Sequence, residues 1–220
     1  MTEQLQSHTE PMQRNLFTIG HSLRSGWEFI ELLRAHGITA LCDVRSVPIS
    51  NRNPVFRRDV LKKGLRRYGI TYVHMPELGG RNRDPSLYKE GKVDYTLLAE
   101  TPRFRKGLAR LVEGVERHRI ALMCAEKDPI ACHRAILITR CLRGTDLQIA
   151  HIIGPGKLET NEEMERRLVR AVGLPEEDFF MTAGHLVEQA YAIQGERIAY
   201  TRMRLEVRQL DRMSSKPNSA

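Results

Sequence analysis

The segment that decides the fold reads Ile120-Ala-Leu-Met-Cys124-Ala-Glu126-Lys-Asp128-Pro129-Ile-Ala-Cys132-His133-Arg134. Five apolar residues end at Cys124, a polar loop follows, and a second apolar segment begins directly after Arg134. This pattern predicts a buried strand, a short loop and a buried helix whose first turn is Cys132-His133-Arg134. Ligands of open α/β sheets collect at the carboxyl ends of the strands, and a helix N-terminus favours an anion. The segment therefore predicts a functional site.

Composition limits the classes of protein that fit. The chain has 220 residues, of which 41% are hydrophobic and 28% charged, as in a globular protein with one domain and a real core. No apolar run is long enough to cross a membrane, and the segment from Met1 to Gln13 lacks the apolar region of a signal peptide. The four cysteines are not spaced like a small disulfide scaffold, which favours a reducing cytoplasm. The net charge of +8 favours an anionic small molecule or nucleic acid as partner.

Strand and helix patterns alternate along most of the chain. Leu16–Ile19 and Thr39–Val44 read as strands, and the helix between them begins with the capping box Ser25-Gly-Trp-Glu28. This βαβ pattern and the later strands predict an α/β fold with a mostly parallel central sheet of about five strands and helices on both faces. We expect a disordered tail over residues 1–14, an α/β core over 15–156, a helical C-terminal extension packed on the core over 157–213 and a disordered tail over 214–220.

Polar side chains follow every predicted strand, and the carboxyl ends of parallel strands share one edge of a sheet. Our leading hypothesis makes Glu126 and Asp43 the catalytic carboxylates, with His21 and His133 carrying protons. Arg45 and Arg134 would clamp an anionic substrate. The remaining residues expected to bind substrate are Ser22, Glu77, Gly79 and Gly80. The alternative is that Asp43–Arg45 or Glu126–Arg134 is an internal ion pair that ties loops together.

Two other chemistries use the cysteines. Cys124, Cys132 and His133, with His21 or His74, have the ligand types of a zinc site, but seven residues separate the two cysteines, unlike the usual short pairs. Cys132 would also have a lowered pKa at a helix N-terminus, as a nucleophile needs. In loops that cradle a phosphate, a longer run separates the cysteine from the arginine, and glycine lets the backbone wrap around the anion. Here Arg134 lies only two residues after Cys132, and no glycine lies between them. We therefore expect no metal and no cofactor.

A basic helix is predicted from about Arg57 to Tyr68. Arg58, Lys62 and Arg66 fall on one face of it and would contact nucleic acid, unless that face is simply solvated. A non-catalytic nucleic-acid-binding or adaptor protein is therefore the alternative function.

Five blocks of the sequence resemble a known family, the domain-of-unknown-function 488 proteins. The blocks are Thr18-Ile-Gly-His-Ser22, Leu41-Cys-Asp-Val-Arg-Ser-Val-Pro48, Gly69-Ile-Thr-Tyr72 with Leu78-Gly-Gly80, Leu122-Met-Cys-Ala-Glu126, and Cys132-His-Arg134. The resemblance covers about Leu16 to Ile153 and implies an α/β domain with its shared motifs at the strand ends. It implies no particular reaction. The sequence as a whole predicts an enzyme that acts on a phosphate-bearing substrate, nucleotide or nucleic acid, by hydrolysis or group transfer, and leaves the oligomeric state open.

Overall fold

A central sheet of six strands organises the protein, and a computed structural model describes residues 14–50, 52–175 and 182–201 of it. The strands are β1 (Asn15–Gly20), β2 (Ala40–Asp43), β3 (Thr71–His74), β6 (Ile120–Cys124), β7 (Gln148–Gly154) and β8 (Lys157–Thr160). Their order across the sheet is β3-β2-β6-β1-β7-β8, and all neighbours are parallel except β7 and β8. The prediction of a mostly parallel α/β sheet is confirmed.

The sixth strand corrects the expectation that residues 157–213 form a helical extension. After β7 the chain turns at Gly156, whose φ of 60° is a left-handed conformation that glycine adopts at little cost. It then runs back along β7, so that Lys157–Thr160 adds an antiparallel strand to the sheet edge. The segments that follow are helical, as expected: α5 (Asn161–Val172) and α6 (Ala183–Ile198). The two predicted tails, apart from Arg14, and the last residues of the predicted extension lie outside the described residues.

Capping residues mark the start of three helices, and the start predicted at Ser25 is confirmed. Helix α1 (Gly26–Ala35) has the capping box of Ser25 and Glu28, and α5 has one of Thr160 and Glu163. Helix α4 (Pro102–Val115) has Thr101 as its N-cap. The other helices are α2 (Arg58–Arg66) and α3 (Tyr95–Glu100). Among the described residues no helix combines the length and the apolar character that crossing a membrane requires.

Helices cover both faces of the sheet, which confirms that part of the prediction. Side chains of α1 and α2 pack on one face in a hydrophobic cluster with Phe17, Leu41 and Met123. Side chains of α3, α4, α5 and α6 pack on the other face with Leu16 and Leu122. Because successive strand residues point to opposite faces, the five parallel strands contribute to both clusters. We refer to these as the α1–α2 face and the α4–α6 face.

The connection after β6 differs from the predicted α-helix. Asp128 caps a short 3-10 helix, Pro129–Ala131, and Cys132 follows in an extended conformation with φ −139° and ψ 138°. A π-helix, Arg134–Thr139, then runs back along the sheet. Cys132 therefore precedes the helix rather than forming its first turn, because the proline-led 3-10 turn ends before it. Wide π turns are rare and occur often at functional sites.

The long segment between β3 and α3 contains local structure. A 3-10 helix, Pro85–Leu87, leads into a two-stranded hairpin of β4 (Tyr88–Lys89) and β5 (Lys92–Val93). Glu90 and Gly91 form the turn, and both have positive φ values. Such a two-residue turn matches the twist of a hairpin.

Candidate functional site at the carboxyl edge of the sheet

The carboxyl ends of β1, β2 and β6 meet at the centre of the sheet. The chain leaves β1 and β2 toward α1 and α2 on one face, but it leaves β6 toward the π-helix on the other face. Neighbouring strands whose connections depart to opposite faces create a crevice, and ligands of open α/β sheets bind in such crevices. The sequence-predicted site residues fall into two groups here, one on each face of the sheet.

The first group lies on the α4–α6 face, and we call Cys124, Glu126, Cys132 and His133 the thiol cluster. Oε2 of Glu126 lies 3.1 Å from Sγ of Cys124 and 2.9 Å from Sγ of Cys132. Nδ1 of His133 lies 3.6 Å and 4.0 Å from the same two sulfur atoms. Both cysteines are buried, whereas Glu126 is exposed with its carboxylate turned inward. The cluster therefore has one side that solvent or a substrate can reach.

The ring of His133 is oriented by a main-chain group of β2's connection. Nε2 of His133 lies 3.1 Å from the carbonyl oxygen of Val44. A carbonyl only accepts hydrogen bonds, so Nε2 carries the proton and donates it. Nδ1 then faces the two sulfur atoms, and in the neutral ring it presents a lone pair to them.

The charges of the thiol cluster are strongly coupled. Burial acts to raise the pKa of Cys132, but the hydrogen bond from Cys124 and the charges of Arg134 and His133 outweigh burial and lower it. Burial and the charge of Cys132 raise the pKa of Glu126. Burial acts to lower the pKa of His133, but its contacts with Cys132 and Glu126 raise it. Reactive thiolates and carboxyls poised for proton transfer have shifts in these directions.

Arg134 holds the loop of the thiol cluster in place. Its guanidinium donates to the carbonyl oxygens of Glu126 at 2.7 Å and Lys127 at 3.0 Å, and Nε donates to Oγ1 of Thr18 at 3.3 Å. The side chain is buried, with 1% of its surface exposed. The structure thus places Arg134 under the loop, where it contributes positive charge and main-chain contacts, and not as an ion pair with the Glu126 carboxylate.

The second group lies on the α1–α2 face, and we call His21, Asp43, Arg45 and Tyr72 the ion-pair cluster. Oδ1 of Asp43 accepts from the main-chain N–H of Arg45 at 3.1 Å and from Nε at 2.8 Å. Oδ2 accepts from Nη2 of Arg45 and from the hydroxyl of Tyr72, both at 2.6 Å. Nη2 of Arg45 also donates to the Phe56 carbonyl. Asp43 is fully buried, so the internal pair considered from the sequence is present.

His21 completes the ion-pair cluster as a neutral ring. Its Nδ1 lies 3.0 Å from the carbonyl oxygen of Ser22, and its Nε2 lies 3.4 Å from Nη1 of Arg45. The ring stacks on Phe56 with 4.3 Å between centroids. Burial lowers the pKa of His21, and the positive charge of Arg45 adds to the effect. His21 and His133 are therefore shifted in opposite directions at the same sheet edge.

Glycines let the connections at this edge approach each other closely. A Cβ atom on Gly20 would lie 1.8 Å from the carbonyl oxygen of Glu126, and one on Gly79 would lie 2.3 Å from Oγ of Ser46. A Cβ on Gly80 would lie 3.0 Å from the His133 side chain. Gly79 and Gly80, predicted to bind substrate, thus lie where the loops pack, and Gly80 borders the thiol cluster.

Ser22 and Glu77 are placed differently from the other predicted residues. Ser22 follows β1 with a φ of 48°, an uncommon conformation for a residue with a side chain, and its N–H donates to the carbonyl oxygen of Ala125. It therefore borders the crevice. Glu77 pairs with Arg110 of α4 at 2.7 Å and packs against Gly107, outside both clusters.

The three predicted nucleic-acid contacts lie on α2, apart from the thiol cluster. Arg58, Lys62 and Arg66 are exposed, while Leu61 and Leu65 of the same helix are buried on the α1–α2 face. The helix is therefore amphipathic, as its spacing predicted.

Sequence reasoning missed several groups that build the site. Cys124 and Cys132 are not among the predicted site residues, although their chemistry suits zinc or a nucleophile. Tyr72 and the main-chain carbonyl of Val44 were not considered, and a carbonyl leaves no sequence signal. Two exposed cations are neighbours of site residues in the chain: Lys127 follows Glu126, and Arg81 follows Gly80. A signal for both was available, because each is a basic residue next to a motif residue.

Fold and site together define an α/β protein with a thiol, carboxyl and imidazole cluster at the carboxyl edge of a parallel sheet. The chain belongs to the family described as Domain of unknown function DUF488, whose model matches residues 27–141, just over half of the chain. The match includes the thiol cluster, Asp43, Arg45 and Tyr72. It begins at residue 27 and so does not include β1, His21 or Ser22. No curated protein and no solved structure matches the chain.

Proposed function

We propose that this protein is an enzyme that acts on a phosphate-bearing substrate, a nucleotide or nucleic acid, by hydrolysis or group transfer at the carboxyl edge of the sheet. The observation that supports it best is the thiol cluster, where a carboxyl group, two thiols and an imidazole lie within hydrogen-bonding reach of one another. Its exposed side is formed by Glu126. Groups that donate, accept and attack are what these reactions need in one place.

Glu126 has the proton-transfer role in this proposal. Its raised pKa keeps the carboxyl group closer to the working pH than an ordinary glutamate, which favours acid–base catalysis. Asp43 has no free lone pair after its bonds to Arg45 and Tyr72, and we therefore assign it a positioning role, together with His21. We assign the direct contacts with phosphate to Lys127 and Arg81, because the guanidinium groups of Arg45 and Arg134 form hydrogen bonds with the protein itself.

The test uses chromogenic and natural phosphate esters. Wild-type protein is incubated with p-nitrophenyl phosphate, bis(p-nitrophenyl) phosphate, nucleoside triphosphates and labelled RNA and DNA oligonucleotides. We expect turnover of at least one of these, and a loss of about 100-fold or more in kcat for Glu126→Gln. Glu31→Gln, at a half-exposed carboxylate on α1 that pairs with Arg34, is the matched control and should keep the wild-type rate. Absence of turnover with every probe, or full activity of Glu126→Gln, would contradict the proposal.

The second candidate, a nucleic-acid-binding protein, is favoured by the exposed cations of α2. Its test is the salt dependence of binding to a labelled oligonucleotide. Reversal of Arg58, Lys62 and Arg66 to Glu should weaken binding and reduce the slope of log affinity against log salt by about 2 to 3. The same reversal at three exposed cations of α4, namely Arg103, Arg105 and Lys106, is the control for net charge. Equal effects of the two triple variants would exclude α2 as a specific contact surface.

A further inference from the structure

Three side chains of the thiol cluster place metal-ligating atoms around one point. Sγ of Cys124, Sγ of Cys132 and a ring nitrogen of His133 all lie within 4.8 Å of one another. We propose that these three residues bind one Zn²⁺ ion through Sγ, Sγ and Nδ1. The proposal reverses the expectation of no metal, and it deepens the proposed function by naming a cofactor for the same site.

The distances fit tetrahedral zinc. Bond lengths of about 2.3 Å to sulfur and 2.0–2.1 Å to nitrogen place a sulfur and a nitrogen ligand roughly 3.6 Å apart at the tetrahedral angle. Nδ1 of His133 lies 3.6 Å from Sγ of Cys124 and 4.0 Å from Sγ of Cys132. Small side-chain adjustments are therefore sufficient to close the site around an ion. Two thiolates and an imidazole are ligands that zinc prefers.

The surroundings of the three residues also resemble those of a metal site. Metal-ligating histidines usually donate their second ring N–H to a carbonyl or carboxylate, which fixes the tautomer. His133 has this contact with the Val44 carbonyl at 3.1 Å, and the contact leaves Nδ1 as the free lone pair. Arg134, under the loop, offers a positive charge that offsets the negative charge of two bound thiolates.

The local backbone explains how a seven-residue gap produces the site. The 3-10 turn Pro129–Ala131 returns the chain to the end of β6, so that Cys132 reaches Cys124. Cys132 is extended, whereas His133 has helical backbone angles, with φ −59° and ψ −22°. This change of conformation lets adjacent residues point to the same place. The spacing of short cysteine pairs is therefore not required here.

Zinc with three protein ligands has a fourth position for water or substrate, as in catalytic zinc sites. Binding the ion requires both thiols to lose their protons to solvent, because the thiolate is the ligand. Glu126 stays outside the ligand set, beside the sulfur atoms and on the exposed side. It is then placed to exchange a proton with a group in the fourth position, which agrees with its role in the proposed function.

The experiment measures metal in the full chain, purified under reducing conditions without a polyhistidine tag. We expect one zinc per chain by elemental analysis, and titration of the zinc-free protein with Co²⁺ should produce thiolate charge-transfer and tetrahedral d–d bands. Cys124→Ser, Cys132→Ser and His133→Gln should each weaken Co²⁺ binding by more than about 100-fold, beyond the loss typical of second-shell changes. Cys141→Ser, a half-buried cysteine outside the cluster, is the control and should bind like wild type.

Melting of the wild-type protein provides a second measurement that needs no variant. Zinc should raise Tm and a chelator should lower it, because only the folded chain assembles the ligands. Failure to bind zinc or Co²⁺, or a Cys124–Cys132 disulfide in protein that is zinc-free, would overturn the proposal, as would unchanged binding in the ligand variants. The two proposals fail separately: bound zinc with no phosphoester turnover in wild type contradicts only the function, whereas turnover without zinc contradicts only the metal.

Discussion

The two clusters at the carboxyl edge use similar residue types in different ways. In the ion-pair cluster a fully buried carboxylate has a cation and a hydroxyl on all its lone pairs, so its charge is satisfied by the protein. In the thiol cluster the inward-turned carboxylate of the exposed Glu126 contacts two thiols beside a histidine, and within the described part of the chain no lysine or arginine is paired with it. One cluster lies on each face of the sheet. Val44 connects them, because it lies between Asp43 and Arg45 in the chain and its carbonyl oxygen contacts His133.

This difference suggests a division of work. A saturated, buried network fixes the positions of β1, β2 and β3 relative to one another, because breaking any bond leaves an unpaired polar group. The thiol cluster has atoms that can still bind a ligand or transfer a proton, so it is available for chemistry. Mutations in the first cluster should therefore affect stability, and those in the second should affect binding or reaction.

The largest expected effect is the loss of stability of Asp43→Asn. The change leaves the Arg45 guanidinium buried beside a neutral group, and breaking a buried pair in this way costs about 3–5 kcal/mol. Glu126→Gln should change the free energy of unfolding by about 1 kcal/mol or less, because it alters hydrogen bonds on an exposed side. Urea denaturation of both variants measures the difference. Equal losses would remove the distinction between the clusters.

A smaller effect is expected where β1 and the thiol-cluster loop touch. Gly20→Ala places a Cβ 1.8 Å from the Glu126 carbonyl oxygen, so the loop must move. Overpacking of this kind costs about 3 kcal/mol, and it should also disturb Co²⁺ binding by moving the loop. Gly26→Ala is the control, since its nearest neighbour lies at 3.8 Å. If Gly20→Ala is as stable as wild type, the loop at Glu126 can move without a measurable cost, and the prediction is wrong.

The smallest expected effect concerns pH and His21. Its pKa is lowered in the folded state, so the unfolded chain binds more protons below the ordinary value of 6.5. Its contribution to stability is therefore complete above pH 6.5 and is lost as the pH falls toward the folded pKa, with a slope of at most about 1.4 kcal/mol per pH unit. Unfolding curves between about pH 7 and 5 should show a shallower slope for His21→Gln than for wild type.

His118→Gln is the control for this pH effect, because His118 is exposed at the end of α4. His151 contributes in the same direction in all three proteins, since burial lowers its pKa to about 3. If the unfolding free energy of His21→Gln changes with pH as steeply as that of wild type, groups other than His21 cause the pH dependence.

The sequence predicted the fold well because local signals were strong. The apolar runs of β1, β2 and β6 and the capping box at Ser25 each mark one element without tertiary information. Strand β8 was missed because Lys157–Thr160 is polar and mostly exposed, and its identity depends on pairing with β7.

The site was predicted in outline, since strand ends are local features and parallel strands share an edge. The hydrogen-bond partners of the site residues were less predictable. Arg45 is two residues from Asp43 in the chain, but the fourth hydrogen bond to the Asp43 carboxylate comes from Tyr72 on another strand. Cys132 looked like a helix N-terminal residue, and its return to Cys124 depends on a 3-10 turn that spacing rules for cysteine pairs do not include.

The position of β1 has a consequence for how the chain folds. Among the described strands it is the first to be synthesised, but both of its partners, β6 and β7, follow it by about a hundred residues or more, and such distant pairing slows folding. On the ribosome its two edges stay unpaired until β6 and β7 have emerged. The segment matched by the family model, which starts at residue 27, lacks this strand and would leave β6 with an open edge. The segment that sequence similarity delimits therefore does not contain the complete sheet.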